Sequence, residues 1–340
     1  LRRQRQMCIR DRSQWVKFAN SLRLRLAIRV SMSAPDLARA EVAKAMDATA
    51  GGVLESADET VAVSTESGYK NPLGTVNEGW GEVFMGATME SVLVGYNDPR
   101  LIKYYSKAEG GDIKDEKGNL IIAERNKIAG TYKGVPQGTG VTVKDENRYR
   151  LHSKSTITKQ TDAILMTAAE VWFLRAEAAL RGFTSENVKD CYEKGITVSC
   201  QQWGVNVGDY LTSDATPSDY VDAFEAKYDV KALIKVTPKW DGGASPEEQL
   251  ERILTQKWIA CYPEGYEAWT EQRRTGYPQL FKVFVNNSGG AIDTDIRIRR
   301  LPYPSDIQKN NPTQYSALKK ALGGEDNGGT RLWWDTGRNF

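Results

Sequence analysis

His152 is the only histidine in the 340 residues, and that fact narrows the chemistry open to the chain. Multi-histidine metal sites are excluded, and a Ser-His-Asp triad would have to be built around this one ring. It lies in a polar run, RYRLHSKST, where an ordinary surface histidine is expected. No Walker-type or dinucleotide-binding glycine motif occurs. Asp293 and Asp295, in SGGAIDTDI, could in principle meet calcium, but the loop lacks EF-hand spacing and reads as a solvated turn. Two carboxylates for glycoside cleavage need only meet in space, and nothing singles out a pair. The chain reads as non-catalytic, with no cofactor and no metal.

Binding suits the residue types better. The chain holds 9 tryptophans and 15 tyrosines. Sugar rings present apolar C–H faces that stack on such flat rings, while their hydroxyls need amides, carboxylates or arginine nearby. A glycine- and asparagine-rich stretch supplies that mixture at Tyr69, Asn71, Asn77, Trp80, Tyr96, Asn97 and Arg100, the candidate ligand-binding set. Each ring has a structural alternative, packing beneath a loop. Trp15, Phe18, Trp172 and Trp258 fall on apolar helical stripes and are assigned to the core, and Trp333-Trp334 is expected to staple the C-terminus onto the body.

These residues must be positioned by a protein of ordinary globular composition, 40% hydrophobic and 26% charged. No run approaches the roughly 18 apolar residues of a membrane span. The net charge of +2 is concentrated at one end. Leu1 to Arg12 carries five arginines and one aspartate, so the body is slightly acidic and offers no basic field for nucleic acid. This dozen lacks apolar periodicity and is set aside as an artefactual tail, a basic functional tail being the competing reading. Of four cysteines, Cys191 and Cys200 fall on opposite faces of one helix, Cys261 on an apolar face and Cys8 in the tail. Buried free thiols are expected.

The periodicity predicts a helix over Trp15–Ser33 with Trp15, Phe18, Ala19, Leu22 and Leu26 on its buried face, and a second from Pro35 to about Thr49, stopped by Gly51-Gly52. Arg29 lies close to the first stripe and would need a carboxylate partner. Residues 53–161 are irregular, with a helix from Trp80 to Val94 and a helix start at Asp98-Pro99. Helices return at Asp162. Leu165, Ala168, Ala169, Trp172, Ala176, Ala179 and Leu180 alternate small and large, Gly182-Phe183-Thr184 turns the chain, and Thr184 caps a partner helix to about Cys200. Such a pair resembles one tetratricopeptide unit. Ser245-Pro246-Glu247-Glu248 is a capping box, and Ser305 to Gln308 repeats its signature.

Three stretches carry a wider resemblance. They are WVKFANSLRLRLAIRVS followed by GGVL; AAEVWFLRAEAALRG leading through YEKGITVSCQQWGV; and QKWIACYPEGYEAWTEQRRTGYPQLFKV followed by RIRRLPYP and TRLWWD. In this order they resemble the SusD/RagB family, specifically its nutrient-binding lipoproteins. The resemblance implies a mainly α fold of tetratricopeptide-type helix pairs, one domain over residues 13–340 with a loop-rich ligand-binding region over 53–161. It also implies capture of oligosaccharides or peptides at the cell surface for a SusC-like, TonB-dependent outer membrane transporter. Trp269, Arg273 and Arg274 match the family pattern and read as architecture, with Glu267 or Glu271 as partners. Family members carry a secretion signal and a lipidated cysteine. Neither occurs here, so the chain is expected to be N-terminally truncated, with anchoring an inference about its parent. The rivals are an intracellular tetratricopeptide scaffold gripping a peptide, which predicts a regular repeat, and a glycan-cleaving enzyme, which predicts an essential carboxylate.

Overall fold

The computed structural model describes residues 2–66, 68–140 and 147–340, without the side chains of residues 2–11. In chain order the helices are α1 (Arg2–Arg29), α2 (Pro35–Ala45), α3 (Pro72–Gly74), α4 (Ala87–Gly95), α5 (Leu101–Tyr104), α6 (Ala168–Leu180), α7 (Val188–Gln202), α8 (Pro246–Ala260), α9 (Gly265–Thr275), α10 (Ser305–Asn310) and α11 (Pro312–Leu322). Helix α1 thus begins inside the segment set aside as a tail, and Cys8 falls among the side chains outside the description. Short antiparallel pairs join β1 (Val61–Val63) to β4 (Ala163–Met166) and β2 (Ile113–Lys114) to β3 (Leu120–Ile122).

The helical framework follows from local chemistry. Thr167 Oγ1 accepts from Glu170 N and starts α6, and the Ser245–Glu248 capping box with Pro246 in the first turn starts α8. Helices α6 and α7 pack closely because α6 is alanine-rich and α7 carries Gly195. A Cβ there would lie 2.8 Å from the Phe173 ring. Two expected caps are corrected. The cap of α7 is Asn187, whose side chain accepts from Asp190 N, because the chain turns for several residues beyond Thr184. Helix α10 has no side-chain cap at all, since Pro304 occupies that place. The helix expected from Trp80 is α4, starting at Ala87. Asp98 Oδ1 accepts from Arg100 N at 2.9 Å, as expected of a capping residue, and the same carboxylate pairs with the Arg100 guanidinium; the helical turn itself, α5, starts at Leu101.

The buried face of α1 is also a correction. Ser21, Leu24, Ala27 and Ile28 face the core, whereas Ala19 and Leu26 are exposed and Trp15 is 67% exposed. Apolar residues lie on two sides of this helix, and it is the position of α2 and α6 that decides which side is covered. Phe18, Trp172 and Trp258 are half-buried against the main core. That core joins α1 and α2 to α4 through α8. Cys191, Cys200 and Cys261 are buried and free; both faces of α7 are covered, which accounts for the first two.

A buried ionic layer ties α1, α6, α8 and α9 together. Arg25 contacts Glu170 at 2.5 Å and Arg29 contacts Glu267 at 2.6 Å. Lys257 on α8 lies 3.8, 3.3 and 3.1 Å from Glu170, Glu267 and Glu271. Arg274 bridges Glu177 and Glu271, each at 2.7 Å. Burial alone would raise the Glu271 pKa, but Arg274 and Lys257 outweigh it and hold the carboxylate well below its usual range. Arg273 instead stacks on Trp269, 3.7 Å from its centroid, and bonds Arg299 O. At the C-terminus Trp334 packs over Arg273 while Trp333 is exposed, so only one of the expected pair serves as a staple.

The loop-rich region has its own small core of Ala108, Ile113, Ile128 and Tyr149 with Ala223 and Phe224 from the α7–α8 connection. His152, expected at the surface, is only 2% exposed and packs edge-on to Tyr149 and near Phe224 in this core. Neither ring nitrogen has a hydrogen-bond partner among the described residues. Burial, helped by Lys133, pulls its pKa down to about 3. The polar neighbours misled because the turn at 148–151 directs this ring inward.

Candidate ligand-binding site

The segment from Tyr69 to Gly81 forms a rigid platform on the 155–161 strap. Asn71 Oδ1 accepts from Leu73 N at 3.0 Å and starts α3, which continues through Thr75–Trp80 as a π-helical turn ended by Gly81. Asn71 N donates to Lys159 O, and Asn71 Nδ2 to Thr161 O, both at 3.0 Å. Asn77 Nδ2 reaches Ser155 O at 2.7 Å and Ile157 O at 2.8 Å. Gly74 permits this approach, because a Cβ there would lie 2.1 Å from the Thr158 carbonyl carbon. Single π turns of this kind recur at functional sites. Both aromatic side chains of this segment are left in water: Trp80 is 58% exposed and Tyr69 39% exposed.

The other five predicted residues separate from these two. Tyr96 is buried and donates its hydroxyl to Val236 O at 2.6 Å. Arg100 has no exposed surface; it pairs with Asp98 at 2.6 Å and bonds Ser199 and Gln256. Burial alone would lower the Arg100 pKa, but Asp98 outweighs it and holds the guanidinium charged. Neither residue can touch a surface ligand. Asn71 is buried and Asn77 half-buried, and their amides are committed to the strap, so both position the platform. Asn97 is exposed with φ +52°, in the turn that ends α4.

Two polar groups beside Trp80 were not foreseen. Glu78 Oε2 accepts from Lys159 N at 2.7 Å, and the Lys159 ammonium lies 4.0 Å from where a Gly79 Cβ would stand. Glu78 is two residues from the ring and could have been included. Lys159 is distant in sequence, and no local signal marks it. A flat exposed ring flanked by an acid and an amine can stack a sugar face and bond its hydroxyls. Among the described residues no group of three or more His, Cys, Asp or Glu could hold a metal ion. Asp293 Oδ1 caps Asp295 N and Ile296 N in a turn.

The sequence pattern of SusD-like proteins, described as SusD and RagB outer membrane lipoprotein, matches residues 7–335. The chain belongs to the SusD/RagB family. A SusD homologue from Bacteroides vulgatus is 53% identical, with a TM-score of 0.87, and the match covers 96% of this chain and 64% of that one. A SusD homologue from Flavobacterium johnsoniae, described as chitin-binding, is 37% identical with a TM-score of 0.84 over the same shares of each chain. A third, from Bacteroides thetaiotaomicron, is 34% identical with a TM-score of 0.82, covering 96% and 66%. No curated protein matches. The chain thus spans just under two thirds of the length of the first of these SusD structures. The mainly helical SusD fold with its tetratricopeptide-like pair is the one seen here, and the family is one of outer membrane lipoproteins. Among the described residues no helix is long and apolar enough to cross a membrane.

Proposed function

We propose that this protein is a non-catalytic, surface-exposed capture protein that binds oligosaccharides on the Trp80 platform and delivers them to a SusC-like, TonB-dependent transporter. The observation that carries the reading is the exposure of Trp80 on a turn fixed by Asn71, Asn77 and Gly74. A large ring left in water on an immobilised backbone loses little entropy when a ligand stacks on it. The chitin-binding relative supports carbohydrate as the ligand class. In this reading residues 53–161 form the ligand-binding region of one domain, Tyr69 adds a second exposed ring, and Glu78 and Lys159 bond hydroxyls. A lipid anchor on the parent protein would hold it at the outer membrane.

The test is calorimetric titration with chitin, malto- and xylo-oligosaccharides of two to six units, with peptide as a comparison. Trp80→Ala is expected to weaken the oligosaccharide that binds about tenfold, or about 1.4 kcal/mol, without lowering the melting temperature. Unchanged affinity removes Trp80 from the site, and binding of peptide alone replaces the ligand class. Appearance of shortened oligosaccharides on prolonged incubation would refute the non-catalytic assignment. Delivery is checked by co-purification of a TonB-dependent barrel with the tagged protein from outer membranes.

A further inference from the structure

A second cavity lies away from the Trp80 platform, between α9 and the segment running from Leu280 to Ile298. It is a half-open hollow of about 420 Å³, within the range of small-ligand pockets. Its walls are mostly apolar, with Trp269, Leu280, Val283 and Ile298 contributing, while Asp293 and Arg297 bring opposite charges to the same space. The indole N–H of Trp269 is already given to Ile298 O at 3.1 Å, and the Arg273 guanidinium stacks on that ring. Trp269 therefore meets the cavity as an apolar ring.

Arg297 is the unusual element. Its φ is +66°, in the left-handed region that a non-glycine residue enters only under strain. The strain is held by a turn in which Arg297 N donates to Asp293 O at 2.8 Å and the guanidinium bonds Leu280 O, Phe281 O and Gln137 Oε1. Among the described residues this guanidinium forms no ion pair and its Nε no hydrogen bond. Burial pulls its pKa down, with only Asp295 opposing. Asp293 spends one carboxylate oxygen on the turn, and its second has no donor among the described residues. A strained backbone thus holds two spare guanidinium N–H donors, on Nε and Nη1, and one spare oxygen of the exposed Asp293 carboxylate at the edge of an apolar, tryptophan-lined hollow.

We propose that this cavity is a second carbohydrate subsite taking one neutral pyranose unit, its C–H face against Trp269 and the aliphatic wall and its hydroxyls bridging Arg297 and Asp293. Opposite charges lining one hollow disfavour a strongly anionic or cationic ligand and suit hydroxyls, which donate and accept at once. The ligand class rests on the carbohydrate reading of the Trp80 platform, but the two sites share no lining residue and can be tested apart.

The test is saturation-transfer difference NMR on the full chain with the methyl glycosides of glucose, galactose, mannose, xylose and N-acetylglucosamine. At least one should give transfer in the native protein and in Trp80→Ala. Asp293→Asn keeps the acceptor that caps the turn and turns the free oxygen into a donor. Val285→Trp fills the mouth from a position that is already exposed. Made in the Trp80→Ala background, so that the platform does not contribute, either change should reduce transfer at least tenfold while keeping the urea midpoint of Trp80→Ala; if Val285→Trp fails to fold, Asp293→Asn decides. Absence of transfer for every glycoside, or transfer that survives both variants, overturns the subsite. Transfer lost in Trp80→Ala alone places the sugar on the platform and also overturns it. Transfer that needs Asp293, alongside oligosaccharide affinity indifferent to Trp80, would keep this subsite and remove the platform.

Discussion

His152 gives a quantitative test of the loop-rich core. Its pKa is about 3 in the folded protein, against about 6.5 in an unfolded chain. Between those values the unfolded state binds the proton and the folded state does not, so stability falls as the pH falls. The penalty grows by about 1.4 kcal/mol per pH unit below 6.5, reaching about 2 kcal/mol at pH 5, and is negligible at pH 7.5. His152→Leu removes the titration, keeps a ring-sized apolar volume between Tyr149 and Phe224, and breaks no side-chain hydrogen bond. Urea unfolding at pH 7.5 and pH 5 is the assay. The native protein should lose about 2 kcal/mol more between the two than His152→Leu does. Glu90 and Asp222, both pushed up first by burial, titrate nearby but do so in both proteins and cancel. Equal losses would mean that the ring takes a proton without unfolding, and the partnerless burial described above would be wrong.

Two further predictions probe the helical framework. Lys257→Met leaves Glu170, Glu267 and Glu271 facing one another without their shared cation, and should cost about 3–5 kcal/mol in urea unfolding at pH 7.5; a loss under 1 kcal/mol would show that Arg25, Arg29 and Arg274 suffice. Gly195→Ala drives a methyl group into the Phe173 ring and should cost about 1–3 kcal/mol. Adding Phe173→Leu should recover part of that loss, and strict additivity of the two changes would refute direct contact.

Much of the helical scaffold was legible in the sequence because its signals are local. The Ser245–Glu248 capping box, Pro246 and Pro35 in first turns, and the small-and-large alternation of α6 each act within a few residues, and each produced a helix. Helix α2 nonetheless stops at Ala45 rather than near Thr49, and α6 starts at Ala168, because Ala163–Met166 pairs with β1 as strand β4 and takes Leu165 out of the helix. The demand that Arg29 find a carboxylate was met by Glu267. Family membership was legible for a related reason: the AAEVWFLRAEAALRG and YEAWTEQRRTGYP stretches encode the buried layer that holds α6 and α9 in place, so their residues are fixed by packing whatever the ligand.

Burial was not legible where it depends on partners far along the chain. Tyr96 and Trp80 are both aromatic residues in a glycine- and asparagine-rich context. Tyr96 is in the core because its hydroxyl meets Val236 O, 140 residues away, while Trp80 is left in water by a π turn clamped to the 155–161 strap. Arg100 disappears into a pocket built by Ser199 and Gln256, and the apolar stripe of Trp15 and Leu26 stays exposed because α6 and α2 cover the adjoining face. Residue type and period determine what a side chain can do and which neighbours share its face. Which face is covered, and which ring remains free to meet a ligand, depends on contacts between segments that no local pattern encodes, and only the tertiary structure decides it.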